Sequence, residues 1–106
     1  MPTKADFETL FTAVGGKSTA GTKLKSTSGW YKSGNGTDAY SFSALPAGDR
    51  DGDGNFGGEG YYAGFWSSTE DFSNFACYMY LDYDYDGADL NYYDENDGFS
   101  VRCVKD

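Results

Sequence analysis

Histidine is missing from this chain altogether. With it goes the usual general base and the commonest metal-ligating side chain near neutral pH. Neither a Ser-His nor a Cys-His nucleophile pair can form. Basic residues are also scarce: eight Lys and Arg stand against 17 Asp and Glu, a net charge of −9. That balance argues against nucleic acid as a partner, because phosphate neutralisation needs clustered Lys and Arg. An anionic membrane surface is disfavoured for the same reason. No apolar run approaches the roughly 20 residues that span a bilayer, so direct membrane insertion is not expected. The N-terminus, MPTKADFETLF, is polar and lacks the apolar stretch of a signal peptide, which leaves any export signal to lie upstream. Proline and cysteine each occur only twice.

What is present points to a small folded domain. A chain of 106 residues builds one domain with one modest core. Aromatics make up 19% of it, which argues against a disordered acidic tail despite a mean hydropathy of −0.64. Fifteen glycines with two prolines suit short strands joined by many turns.

In PTKADFETLFTAVGG, Phe7, Leu10, Phe11 and Val14 fall at i, i+3, i+4 and i+7. This spacing predicts one helix from about Lys4 to Val14, buried along a single stripe. Thr3 is its expected N-cap, with Asp6 three residues on and Glu8 near the positive end of the dipole. Gly15 and Gly16 end it. The segment from Ser18 to Leu45 reads as loop, with Leu24, Trp30, Tyr40, Phe42 and Leu45 as anchors on a core. Trp30 and Trp66 are read as buried structural aromatics.

The C-terminal third reads as an antiparallel meander. Cys77, Met79, Leu81, Tyr83 and Tyr85 alternate with Tyr78, Tyr80, Asp82, Asp84 and Asp86, the period of a strand with one apolar face. Asp86–Gly87 predicts a two-residue hairpin turn. Ala88, Leu90 and Tyr92 then alternate with Asp89, Asn91 and Tyr93. After DENDG, the run FSVRCV returns with Phe99, Val101 and Cys103 inward.

From Asp82 to Asp97, twelve of sixteen residues are Asp, Asn or Tyr, too polar for a core and too aromatic for a linker. Tyrosine offers a large rigid contact area with a polar tip, and Asn, Asp, Ser and Gly offer adaptable hydrogen bonding, the composition of an antibody paratope. The competing reading is a solvated sheet face kept acidic against edge aggregation. Charge alone would serve that end, and six tyrosines between 78 and 93 exceed it.

A second candidate lies in DRDGDGNFGGEG. Asp49, Asp51 and Asp53 followed by Gly54 match the first half of a calcium loop, in which alternate carboxylates converge on a hard cation. The twelfth position, where a bidentate Glu belongs, is Gly60. The alternative is a Gly-rich turn closed by Asp side chains. Either no cofactor or a nonstandard Ca²⁺ site follows. Catalysis has little support: paired carboxylates on an open sheet face lack the desolvation that raises a general acid's pKa. The expectation is a protein that is not an enzyme.

The runs STAGTKLKSTSGW, NGTDAYSFSALPAGDR, DGNFGGEGYYAGFWSSTE and GFSVRCVKD, in this order, resemble the Fibrobacter succinogenes major paralogous domain family. The likeness extends over nearly the whole chain, from PTKADFETL to VRCVKD. Family members usually continue upstream with a Cys-Pro-Ser-Gly-Trp-type segment, so the chain is expected to be the C-terminal portion of that domain. The resemblance implies an α+β fold similar to C-type-lectin-like domains, here one N-terminal helix with a twisted antiparallel sheet and long loops. It implies a bacterial cell-surface or extracellular setting and a protein or carbohydrate ligand, with a monomer favoured. The formylglycine-generating variant of that fold works through cysteine chemistry that nothing here transfers.

The segment between FWSSTE and GFSVRC is also similar to variable regions written by diversity-generating retroelements, which rewrite Asn codons to Tyr, Asp, Ser and Gly. On that likeness Ala76, Leu81, Tyr83, Ala88 and Leu90 are retained scaffold. Tyr78, Tyr80, Asp82, Asp84, Tyr85, Asp89, Asn91, Tyr92, Tyr93 and Asp94 are the varied, ligand-contacting positions. The family resemblance implies that Cys103 lacks its usual partner before the first helix and that Cys77 replaces an aromatic residue, so both cysteines are expected to be free thiols, the alternative being a disulfide between them if their strands are neighbours. The alternative function is a structural repeat with no dedicated ligand, or a calcium-dependent adhesin.

Overall fold

Thr3 starts the first helix in the computed structural model, which describes residues 1–72, 75–95 and 97–102. Its hydroxyl accepts from the Asp6 amide at 3.1 Å, and the Asp6 carboxylate accepts from the Thr3 amide at 2.9 Å. This reciprocal box satisfies two helix-end donors. Helix α1 runs Lys4–Ala13 and buries Phe7 and Phe11, with Val14 buried at its C-cap. Leu10 packs against the same core from the stripe's edge. Gly15 and Gly16, at φ 103° and 114°, then turn the chain through a region that side chains avoid.

A second helix, α2 (Lys17–Leu24), follows at once, where the sequence reading places loop. Ser, Thr and a central Gly make KSTAGTKL a weak helix former. Packing overrides propensity here: Ala20 and Leu24 are fully buried, and Gly21 lies so close to the chain at Gly87 that a Cβ would come within 2.0 Å of the Gly87 carbonyl oxygen. Among the described residues the fold therefore has two helices, not one. Of the expected anchors, Leu24 and Trp30 are buried, Phe42 is half-buried on the core, and Tyr40 and Leu45 are exposed. The Trp30 indole N–H donates to the Ser26 hydroxyl and the Ala44 carbonyl.

Two short strands, β1 (Asp49–Arg50) and β2 (Phe56–Gly57), form a small hairpin. The main sheet is antiparallel in the order β3-β4-β5, built from β3 (Tyr62–Phe72), β4 (Phe75–Asp82) and β5 (Asp89–Asp94). Period-2 alternation holds through its centre. Ala63 faces Leu81, and Phe65, Met79 and Leu90 form one inward row. These side chains meet Phe7, Phe11, Leu24 and Trp30 in a single core. Each large apolar side chain buried there contributes roughly 1.5–3 kcal/mol. The chain is thus α+β, with both helices and the long loops on the core side of the sheet.

Three expectations for the C-terminal third are corrected. Asp86–Gly87 is not a two-residue hairpin turn, because β4 ends at Asp82 and β5 begins at Asp89. The intervening stretch lies on α2 instead, with the Thr22 amide donating to the Asp86 carbonyl and the Ala88 amide to the Lys17 carbonyl. Tyr85, expected inward, is exposed there. The described part of the FSVRCV run, Phe99–Arg102, is not the third strand of the meander beside β5. It lies along β3, where Ser100 bridges Phe65 in parallel. Val101 is exposed, and Phe99 sits on the sheet's outer face. Cys103 falls outside the described residues. Cys77 is a free, buried thiol whose pKa burial pushes up.

Candidate functional site

The sheet's outer face carries what alternation leaves over from the core. β3 contributes Tyr62, Gly64 and Trp66, which pair with Asp82, Tyr80 and Tyr78 of β4. Across the next seam, Tyr78 pairs with Asn91 and Tyr80 with Asp89 of β5. Phe99 caps this surface. Its ring stacks on Tyr78 at 4.7 Å between centroids with planes 6° apart, and Trp66 meets it edge-on at 4.8 Å. Tyr78 further touches Tyr80 at 5.6 Å and Tyr93 at 6.0 Å. Gly64 makes room for the Phe99 ring: a Cβ there would lie 2.6 Å from it.

Between these rings opens a groove of about 240 Å³, lined by Asp49, Tyr62, Tyr78, Tyr80, Asp82, Tyr93 and Phe99. The Tyr62 hydroxyl donates to the Asp49 carboxylate across one wall. Burial, reinforced by that bond, holds the Tyr62 phenol well above the usual tyrosine range. The Tyr78 phenol is pushed up to about 12, chiefly by burial and then by neighbouring phenols and carboxylates. Burial also raises Tyr80. The Asp82 carboxyl is raised by burial first and by its hydrogen bond with Asp84 second. At neutral pH the groove therefore offers neutral phenol groups, aromatic faces and carboxylate oxygens.

The anticipated binding residues divide by face. Tyr78, Tyr80, Asp82 and Tyr93 line the groove. Asp89 and Asn91 extend the same face by register, and Asp89 holds Lys17 in an ion pair of 2.9 Å. Tyr92 pairs with Cys77 in the inward-facing row, where the Lys4 ammonium stands 5.7 Å from its ring. Asp94 ends β5 opposite Phe75. Asp84 and Tyr85 belong to the β4–β5 connection and are exposed. The structure thus brings together six of the ten on one face and leaves four elsewhere.

Of Asp49, Asp51 and Asp53, the first two accept hydrogen bonds within the chain. Asp49 accepts from Tyr62. Asp51 closes its own turn, accepting from the Asp53 and Asn55 amides at 2.9 and 3.0 Å. Asp53 is exposed. Among the described residues no three acids or thiols are grouped to hold a metal ion.

Sequence reasoning missed Tyr62, Gly64, Trp66 and Phe99. The first three alternate in YYAGFWSSTE, and that period was the available signal. Phe99 carried none, because its own strand reads as inward.

The model of the Fibrobacter succinogenes major domain matches residues 1–105. The chain belongs to that family. Membership spans both helices, the hairpin and the whole sheet, so the groove lies within the family domain. No curated protein and no solved structure matches the chain.

Proposed function

We propose that this family member is a noncatalytic recognition module whose ligand-contacting surface is the outer face of β3, β4 and β5. The groove among Tyr62, Tyr78, Tyr80, Tyr93 and Phe99, on the face turned away from the core, carries this reading. Solubility calls for charge, whereas this face presents packed rings around carboxylates. Rigid tyrosines give contact area at little entropic cost. The absence of histidine and the burial of Cys77 favour binding over catalysis. The ligand class is a protein or carbohydrate at a bacterial surface.

The retroelement-like pattern fits the same face. Of the five retained scaffold positions, Ala76, Leu81 and Ala88 are buried and Tyr83 and Leu90 half-buried, while six of the ten varied positions, Tyr78, Tyr80, Asp82, Asp89, Asn91 and Tyr93, lie on the outer face. Sequencing sibling copies of the locus tests this. Changes concentrated at the outward codons beside a template copy are expected, and an even spread along the chain contradicts it. The α+β scaffold is read as C-type-lectin-like. An experimental structure with a lectin-type strand order would bear this out, and a different order would not.

Peptide and glycan arrays test the recognition reading. Wild-type protein is expected to retain a binder that the Tyr80→Ser/Tyr93→Ser variant loses, while Tyr40→Ser, an exposed tyrosine outside the groove, keeps it. Equal retention by all three would overturn the reading.

A further inference from the structure

The groove's lining has a one-sided chemistry. It holds two carboxylates, Asp49 and Asp82, among five aromatic rings, and among the described residues no basic side chain lines it. Two basic residues stand beside it, and Arg50 lines an adjoining hollow. Lys17 is paired with Asp89 at 2.9 Å. The Arg50 guanidinium lies toward Gly54, where an added Cβ would meet it at 3.3 Å. Aromatic faces attract ammonium and guanidinium groups through their quadrupole, most strongly where water is partly excluded. Carboxylates at the rim of such rings complete a cation site. At about 240 Å³ the groove is smaller than pockets for drug-sized ligands, roughly 300–1,000 Å³, and suits one long side chain.

A second hollow shows what could present that side chain. It adjoins the groove, shares Asp49 and Phe99 with it, and is flanked by Phe56 at the β1–β2 hairpin. Phe56 is 82% exposed, a large apolar surface with nothing packed over it. A free small cation would use the groove alone, whereas a peptide entering the groove would also cover Phe56. The net charge of −9 draws basic segments toward the chain.

We propose that the groove captures one lysine or arginine side chain from a basic segment of a protein partner, with Phe56 as the adjoining apolar contact. This rests on the recognition reading above and names its ligand class. The charged head lies among Tyr78, Tyr80 and Tyr93 against Asp82, and its aliphatic stem runs along Phe99. The raised carboxyl of Asp82 fits such a role, since an incoming cation offsets the cost of its burial.

The test uses three tetrapeptides, acetyl-Gly-Leu-Xaa-Gly-amide with lysine, arginine or norleucine at Xaa, together with tetramethylammonium chloride and cellotriose. Aromatic NMR signals report binding. The lysine and arginine peptides are expected to shift Tyr78, Tyr80, Tyr93 and Phe99 and to bind about tenfold tighter than the norleucine peptide. Asp82→Asn should erase that difference. The fold should survive the change, because Lys25 hydrogen-bonds the Asp82 main-chain carbonyl, and the carboxylate acts on Lys25 only through its charge, behind that of Asp86. Asp49→Asn, which keeps an acceptor for Tyr62, is the second variant and should weaken both basic peptides. Phe56→Ala should weaken the peptides and leave tetramethylammonium unchanged. Equal binding of the norleucine peptide overturns the proposal, as does tetramethylammonium binding as tightly as the peptides. Shifts of the same signals by cellotriose alone would overturn the cation assignment and leave the recognition face standing. Shifts confined to Tyr31, Tyr61 and Tyr83 would sink both.

Discussion

Phe99 lies flat on Tyr78, with ring centroids 4.7 Å apart and planes within 6° of parallel. The contact joins residues far apart in sequence and forms one wall of the groove. It exists because Gly64, on the strand beneath, leaves space for the Phe99 ring. Gly64→Ala should therefore push Phe99 off its seat. Expected results are a changed near-ultraviolet circular dichroism of Trp66 and Tyr78 and a stability loss of about 1–3 kcal/mol from overpacking. An unchanged aromatic spectrum would contradict this geometry.

Gly21 gives a prediction with a sign. On helix propensity alone, Gly21→Ala should stabilise α2 by about 1 kcal/mol. The added Cβ would instead fall 2.0 Å from the Gly87 carbonyl oxygen and 2.9 Å from that of Asp86. The variant should unfold at lower urea, with a loss of about 1–3 kcal/mol. A gain in stability would show that the β4–β5 connection does not lie on α2.

Lys25 is buried, and its ammonium donates to the Asp82 and Tyr85 carbonyls at 2.9 and 3.2 Å while standing 5.2 Å from the Trp30 ring. Burial lowers its pKa. Lys25→Met keeps most of the stem and leaves both carbonyls without this donor. Leaving such groups unsatisfied costs roughly 1–3 kcal/mol each, which outweighs the relief of removing a desolvated charge. Urea denaturation should show a lower midpoint at pH 7, and an unchanged midpoint would mean the two effects cancel.

Asp97 supplies a pH dependence. It is buried, and burial first, then the charges of Asp49, Asp94 and Asp51, raise its pKa above 3.8. A carboxyl raised on folding binds its proton more tightly in the native state. Its ionised form is therefore a penalty at neutral pH, and the penalty fades as pH falls through the folded-state pKa. Asp97→Asn should raise the Tm at pH 7, with the advantage shrinking as the pH falls toward the ordinary carboxyl value of 3.8. A difference independent of pH would place its origin in packing instead of charge.

Local signals were legible wherever local physics decides. Thr3 and Asp6 announced the first helix, Gly15 and Gly16 its end, and the Cys77–Met79–Leu81 alternation announced β4. Helix α2 was hidden because Ser18, Thr19 and Gly21 disfavour a helix, and tertiary contacts hold it: Ala20 and Leu24 in the core, and Gly21 against the β4–β5 connection. The same contact concealed the true length of that connection behind a good turn pair at Asp86–Gly87. Four of the seven lining residues, Tyr78, Tyr80, Asp82 and Tyr93, were readable as binding positions. Tyr62 and Phe99 are brought in by strand order and by a segment lying along β3, and Asp49 by its bond to Tyr62, none of which periodicity within one segment encodes.

The chain's ten tyrosines permit the most direct test of the recognition face. Protein labelled with fluorotyrosine would be titrated with a binder recovered from the arrays and followed by fluorine NMR, with each signal assigned by Tyr→Phe substitution. The account predicts that Tyr62, Tyr78, Tyr80 and Tyr93 shift together while Tyr40 and Tyr92 stay in place. Shifts centred on Tyr31, Tyr61 and Tyr83, the aromatic cluster outside the groove, would contradict it.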